Sequence, residues 1–170
     1  MIKILKGLSY IAGIFIIMAL LYNFVFFVIK VPSASMYPTI EIGDRIITTR
    51  INQSSSIKRG DVLVFYSDEL KETMVKRVIG LPNDRIEINS DGRVAVNNIE
   101  LDESYVKYPD NLRGSFEVPD GEYFFLGDYR KHSYDSRKWD NPFIPENKIL
   151  GQAKFIIFPF DRISILEKNS

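Results

Sequence analysis

Val31-Pro32-Ser33-Ala34-Ser35-Met36-Tyr37-Pro38-Thr39 divides the chain. Behind it lies a long apolar segment, and ahead of it a region of short, interrupted apolar runs. Each proline fixes its own φ and drives the preceding residue towards extended geometry, which predicts a stiff, extended segment presenting the Ser33 and Ser35 hydroxyls. A rigid segment of this kind suits a serine nucleophile. It is equally an ordinary loop after an apolar helix.

Gly7 to Ile29 carries no charge over 23 positions, with Lys6 and Lys30 at its ends. At about 1.5 Å per residue such a helix reaches roughly 34 Å, enough for a hydrocarbon core of about 30 Å. Residues 1–30 therefore read as a short cytoplasmic N-terminus and a single transmembrane anchor helix. Lys3, Lys6 and the amino terminus precede the run and Lys30 alone follows it. The positive-inside rule then leaves residues 31–170 as an extracytoplasmic domain at the cell membrane. A cleavable signal peptide competes, because Ser33-Ala34-Ser35 are small. Against it, the run exceeds the roughly 7–15 apolar residues of such a peptide, and prolines crowd the site.

Beyond Tyr37, short β-type runs alternate with Gly, Pro, Asn and Asp. Residues 45–49, 61–66, 73–79, 85–88, 94–95, 123–126, 152–158 and 162–166 read as strands, and residues 53–57 as an exposed connection. Asn89-Ser90-Asp91-Gly92 is a hairpin signal. With no long 3.6-residue stripe after residue 30, the expectation is a mainly β domain of short antiparallel strands. Residues 85–120, more polar than their flanks, read as a small hairpin-bearing insertion.

Composition narrows the chemistry. Of 170 residues, 45% are hydrophobic and 26% charged, an ordinary folded mixture. Lys+Arg and Asp+Glu number 22 each with no basic stripe, which argues against nucleic acid as a partner. The absence of Cys removes disulfides, thiolate nucleophiles and thiolate metal sites. With His132 as the one histidine, a Ser-His-Asp triad has a single candidate, and that residue also reads as a solvated loop position.

Two further stretches carry chemistry. In Thr73–Ile79, Lys76 shares a face with Met74 and Val78. It is either an edge-strand lysine that blunts aggregation, or a desolvated lysine whose neutral amine takes a proton. Gly127-Asp128-Tyr129-Arg130-Lys131-His132-Ser133-Tyr134-Asp135-Ser136-Arg137 alternates acids and bases after an apolar strand. It is either a solvated loop or a network orienting a catalytic base. Asp128 and Asp135 as a metal site fall short of a full oxygen shell, so no metal is expected.

Taken together these stretches resemble type I signal peptidases, the membrane-bound serine proteases that remove signal peptides from exported proteins. The matching segments keep the family's order: Ser33–Thr39, Gly43-Asp44, Lys76-Arg77-Val78-Ile79-Gly80-Leu81-Pro82, then Gly127-Asp128 to Arg137. The resemblance implies a signal-peptidase-type β domain with Ser35 as nucleophile and Lys76 as general base, and no cofactor. It implies an oxyanion site from the Ser35 backbone N–H and the Ser33 hydroxyl, and a Ser133 hydroxyl that orients the lysine. Arg77, Asp128, Asp135 and Arg137 are the implied structural braces, and Met74 and Val75 the implied lining of a pocket for small side chains. The implied partners are exported preproteins and the lipid bilayer. Three positions depart from the family pattern: Tyr129 replaces Asn in Gly-Asp-Asn-Arg, Asn83 replaces Gly in Leu-Pro-Gly-Asp, and Asp140 replaces a Gly. The first and last leave room for two rivals, a peptidase devoted to a narrow pathway and a non-catalytic chaperone for a surface-fibre or pilus subunit. A self-cleaving Ser-Lys repressor-type protease fits less well, because residues 7–29 resemble no DNA-binding part.

Overall fold

The computed structural model describes residues 2–51 and 57–166, with backbone alone for residues 2–9 and 21–23. Helix α1 (Ile2–Phe24) leads into strand β1 (Phe26–Lys30). The expectation of one helix from Gly7 to Ile29 is corrected here. Phe26-Phe27-Val28-Ile29 are aromatic and β-branched, side chains that pack best on a pleated surface. They pair antiparallel with β2 (Arg45–Arg50), Phe27 opposite Thr48 and Ile29 opposite Ile46. Among the described residues no helix is long and apolar enough to cross a membrane.

Ten further strands follow among the described residues: β3 (Val62–Ser67), β4 (Glu72–Gly80), β5 (Arg85–Ile88), β6 (Val94–Val96), β7 (Ile99–Glu100), β8 (Gly114–Glu117), β9 (Glu122–Leu126), β10 (Phe143–Pro145), β11 (Ile149–Phe158) and β12 (Ser164–Ile165). The larger sheet runs β1-β2-β11-β3-β4-β9-β10, with β12 against β11. A second sheet, β7-β6-β5-β8, is built from residues 85–117 alone. Every pairing is antiparallel, as expected of a mainly β chain with short connections.

Three apolar clusters hold these layers. The first packs Val31, Met36 and Ile40 onto Ile46, Val62, Val64 and Val75 of the large sheet. Met36 and Ile40 are fully buried, each contributing roughly 1.5–3 kcal/mol of apolar transfer. The second gathers Leu63, Phe65, Val78, Phe125 and Trp139. The third joins Ile86, Ile88, Val94 and Val96 of the small sheet to Ile79, Phe124 and Leu126 of the large one.

The segment read as extended from Val31 to Thr39 bends into consecutive turns after Pro32. Tyr37 N–H donates to Ala34 O at 3.0 Å and Ile40 N–H to Met36 O at 2.9 Å. Those turns carry Met36 and Ile40 into the core, where both pack against Ile46, Val62 and Val64. Ile57, read as exposed, is buried in the second cluster, while residues 53–56 of that connection lie outside the described residues. The strand expected over 162–166 shrinks to Ser164–Ile165, because Pro159 precedes a short 3-10 turn at Phe160–Arg162. Asn83 has φ 68°, the left-handed geometry that Asn tolerates better than most residues.

Candidate active site

Strand β4 places Lys76 inside the sheet, opposite Leu63 of β3 and only 2% exposed. An edge-strand lysine in water is thereby ruled out. On its other side β4 is covered by β9 only from Arg77 onward, since the pairing runs Arg77–Leu126, Val78–Phe125 and Gly80–Phe124. Among the described residues, Glu72–Lys76 therefore has an unpaired edge. Across that edge lies the turn carrying Ser33 and Ser35.

Lys76 Nζ donates a short hydrogen bond to Ser35 Oγ. Ser33 Oγ lies 3.4 Å from Ser35 Oγ. Burial disfavours the ammonium and brings the Lys76 pKa down from 10.5 to about 8. The charges of Asp135, Glu72 and Asp128 act in the opposite direction, and Arg137 adds to the lowering. Desolvation wins, so a large fraction of the amine is neutral in mildly alkaline solution.

The braces lie around this pair. Arg77 donates to both oxygens of Asp128, at 2.9 and 2.6 Å, and to Gly60 O at 2.8 Å. Thr39 Oγ1 donates to the same Asp128, which ties the serine segment to the loop after β9. Asp135 receives Gly127 N–H at 3.0 Å and Arg137 Nε at 2.8 Å. Burial alone raises the Asp135 pKa, yet Arg137 and the surrounding donors outweigh that and hold it below the usual carboxylate range. Both acids face arginines, and among the described residues no cluster of three His, Asp or Glu side chains is placed to hold a metal.

Gly127 lies where only hydrogen fits, since an added Cβ collides with Ser133 Oγ and the Ser35 carbonyl oxygen. Ser133 is buried beside it with its hydroxyl near Asp135, whose carboxylate form it helps to favour, and the expected hydrogen bond from Ser133 to Lys76 is not formed. His132 is exposed on the loop and packs edge-on against Tyr129 at 4.7 Å. It has no hydrogen bond to Ser35.

A cleft of about 540 Å³ runs between residues 29–33 and 72–76 and reaches Ser35. Ile29, Val31, Val64, Met74, Val75 and Leu150 give it apolar walls, which places both expected pocket residues at the cleft. Sequence reading missed a second support. Tyr105 lies under the Arg77 guanidinium at 4.0 Å, its hydroxyl donates to Glu103 at 2.9 Å, and Glu103 pairs with the buried Arg130. Arg130 stands in the quoted Gly-Asp loop and signalled a partner. Glu103 and Tyr105 sit in an irregular connection with no periodic pattern to mark them.

The departures fall in different places. Tyr129 N–H donates to Ser35 O at 3.0 Å, so the backbone function of that position is independent of its side chain. Asp140 is exposed, its N–H donating to Glu69 at 3.3 Å on the surface.

Residues 4–158 match the family model described as signal peptidase, peptidase S26. A probable signal peptidase I-2 of Synechocystis sp. is 39% identical over 148 residues, spanning 82% of this chain and 66% of that protein. A signal peptidase I of Bacillus amyloliquefaciens is 37% identical over 153 residues, spanning 83% and 78%. The crystal structure of a signal peptidase I from Enterococcus faecalis superimposes with a TM-score of 0.50 at 29% identity, covering 57% of this chain and 96% of that one. The mainly β, antiparallel architecture is thus that of a signal peptidase I. By its sequence over nine-tenths of its length, and by its fold, the chain belongs to the signal peptidase family, peptidase S26.

Proposed function

We propose that the chain is a serine endopeptidase that removes N-terminal signal peptides from exported preproteins with a Ser35–Lys76 dyad. The observation that carries this reading is the buried Lys76 amine, its pKa lowered to about 8 and its Nζ bonded to Ser35 Oγ. A serine hydroxyl is a weak nucleophile without an adjacent base, and here that base is a lysine. Once neutral, Lys76 takes the Ser35 proton as Oγ attacks the scissile carbonyl carbon. The Ser35 N–H and Ser33 Oγ receive the oxyanion. The Lys76 ammonium then returns a proton to the leaving amine, and a water deprotonated by Lys76 releases the acyl group from Ser35 as a carboxylate. Ser133, buried with its hydroxyl against Gly127 beside the Ser35 carbonyl, steadies the amine when Ser35 is acylated. Arg77, Asp128, Asp135 and Arg137 hold the surrounding backbone.

The substrate lies extended along the unpaired edge of Glu72–Lys76, adding a strand to the sheet. Met74 and Val75 then narrow the cleft so that small side chains fit one and three positions before the cut. The relatives' names favour this processing role over a chaperone for a fibre subunit.

Membrane attachment is part of the same proposal. Almost every described side chain from Tyr10 to Leu20 is exposed, including Ile11, Ile14, Phe15, Ile16, Ile17 and Met18. A helix whose described apolar side chains are exposed on all sides is suited to lipid. Helix α1 thus supplies the anchor, with the N-terminus cytoplasmic, and the chain from β1 onward the extracytoplasmic catalytic domain with 85–120 as its insertion; the boundary expected at residue 30 moves to the end of α1 because Phe26–Lys30 pairs with β2. The test is cleavage of a signal-bearing preprotein by wild type, Ser35→Ala and Lys76→Ala reconstituted in membranes. Only wild type is expected to cut, after a small residue; cutting by either variant overturns the dyad.

A further inference from the structure

A second recess, of about 510 Å³, opens beside the Ser35–Lys76 pair. It shares Ser33, Ser35, Glu72, Met74 and Lys76 with the first cleft and has Ala34, Leu70, Tyr129, His132 and Tyr134 to itself. The two cavities therefore meet at the reacting pair and diverge from it. We propose that this recess holds the first residues of the mature chain, those that follow the scissile bond, and selects apolar or aromatic side chains there. The inference rests on the peptidase reading above.

The argument begins with the path of a peptide. A chain cut at Ser35 has two halves, and the half before the cut fills the apolar cleft along Glu72–Lys76. The other half leaves from the same pair, where the second recess is the continuous opening. Its walls are apolar and aromatic: Leu70 and Met74 on one side, the rings of Tyr129, His132 and Tyr134 on the other. They are also fixed before any substrate arrives. Tyr129 is tied to Ser35 by its backbone N–H, and its ring packs against Tyr37 at 5.9 Å, Tyr108 at 4.7 Å and His132 at 4.7 Å. Preformed aromatic walls hold a side chain at little entropic cost. Tyr134 is 47% exposed, so its ring forms the outer lip and is removable without opening the core.

The experiment uses the full chain in phospholipid vesicles. Preproteins identical except at the first and second mature residues carry Gly, Asp, Lys, Leu or Phe there. Wild type is expected to cleave the Leu and Phe forms with kcat/KM roughly tenfold above the Gly form, the discrimination an apolar pocket typically provides. Tyr134→Ala is expected to bring that ratio to about threefold or less. His132→Glu, at an exposed position, is expected to raise the relative rate on the Lys form. Equal wild-type rates on all five forms overturn the assignment, as does a preference that survives unchanged in both variants. Failure of wild type to cut any form overturns the peptidase reading and this inference with it, whereas cutting without discrimination overturns this inference alone.

Discussion

Arg77, the residue after Lys76, grips Asp128 through two hydrogen bonds, and both side chains are only 1% exposed. Because strand neighbours point to opposite faces, one residue pair on β4 serves two purposes: Lys76 faces the serine turn and Arg77 locks the loop after β9. Thr39 completes the tie by bonding to the same carboxylate. Three segments far apart in the chain thus converge on Asp128.

Removing that carboxylate leaves the Arg77 charge buried with Gly60 O and the Tyr105 ring as its remaining partners. Asp128→Ala is expected to cost about 3–5 kcal/mol of stability, the usual penalty for orphaning one member of a buried pair. Chemical denaturation measures it. The double variant Arg77→Met, Asp128→Leu should lose less than either single change; a single-variant loss under about 1 kcal/mol means the pair is solvated and braces nothing.

The pH profile reports the lysine. With its pKa lowered to about 8 by burial, Lys76 is mostly protonated at neutral pH and loses its proton as pH rises. The kcat/KM for preprotein cleavage is therefore expected to climb through a midpoint near that value and level off above it. Glu72 raises the Lys76 pKa by its charge, so Glu72→Gln should move the climb to lower pH. A flat profile from mildly acidic to alkaline pH removes Lys76 as the base, and a shift to higher pH in Glu72→Gln contradicts the electrostatic assignment.

Local chemistry made part of this readable from sequence. Residues 45–49 and 85–88 alternate cleanly and are strands, and Ser35 and Lys76 stand out because small hydroxyls between prolines and a lysine among apolar neighbours are unusual. β1 was hidden, since Phe26–Lys30 continues the apolar composition of α1 and only its pairing with β2 makes it a strand. The strands β7, β8 and β10 are two to four residues long, too short for a period to register. Tyr105 and Glu103 were invisible because their role is set by distance in space from Arg77 and Arg130, with 26 or more residues of chain between.

A buried lysine is a stability cost. The unfolded pKa is near 10.5 and the folded value about 8, so between those values the unfolded chain binds more protons and stability rises with pH. Below pH 8 the folded protein carries the desolvated ammonium, a penalty of about 3 kcal/mol relative to strongly alkaline solution. Lys76→Met is expected to abolish cleavage yet unfold at higher denaturant at pH 7, with the gap to wild type closing as pH approaches 10.5. A variant less stable than wild type at pH 7 means that the hydrogen bond to Ser35 outweighs the desolvation of the amine.

Ser33 offers the sharpest separation of chemistry from binding. Its hydroxyl lies 3.4 Å from Ser35 Oγ, too long and too exposed to contribute much to stability, and in the proposed mechanism it donates to the oxyanion once Oγ attacks. A donor that meets the charge only in the transition state affects kcat and leaves KM alone. Ser33→Ala is expected to lower kcat by roughly 100- to 1000-fold with KM and melting temperature nearly unchanged, and Ser33→Thr, which keeps the hydroxyl, to recover part of the loss. Single-turnover cleavage at saturating preprotein measures it directly. A kcat within about threefold of wild type assigns the oxyanion to backbone donors alone, and a rise in KM at constant kcat makes Ser33 a substrate-binding residue instead.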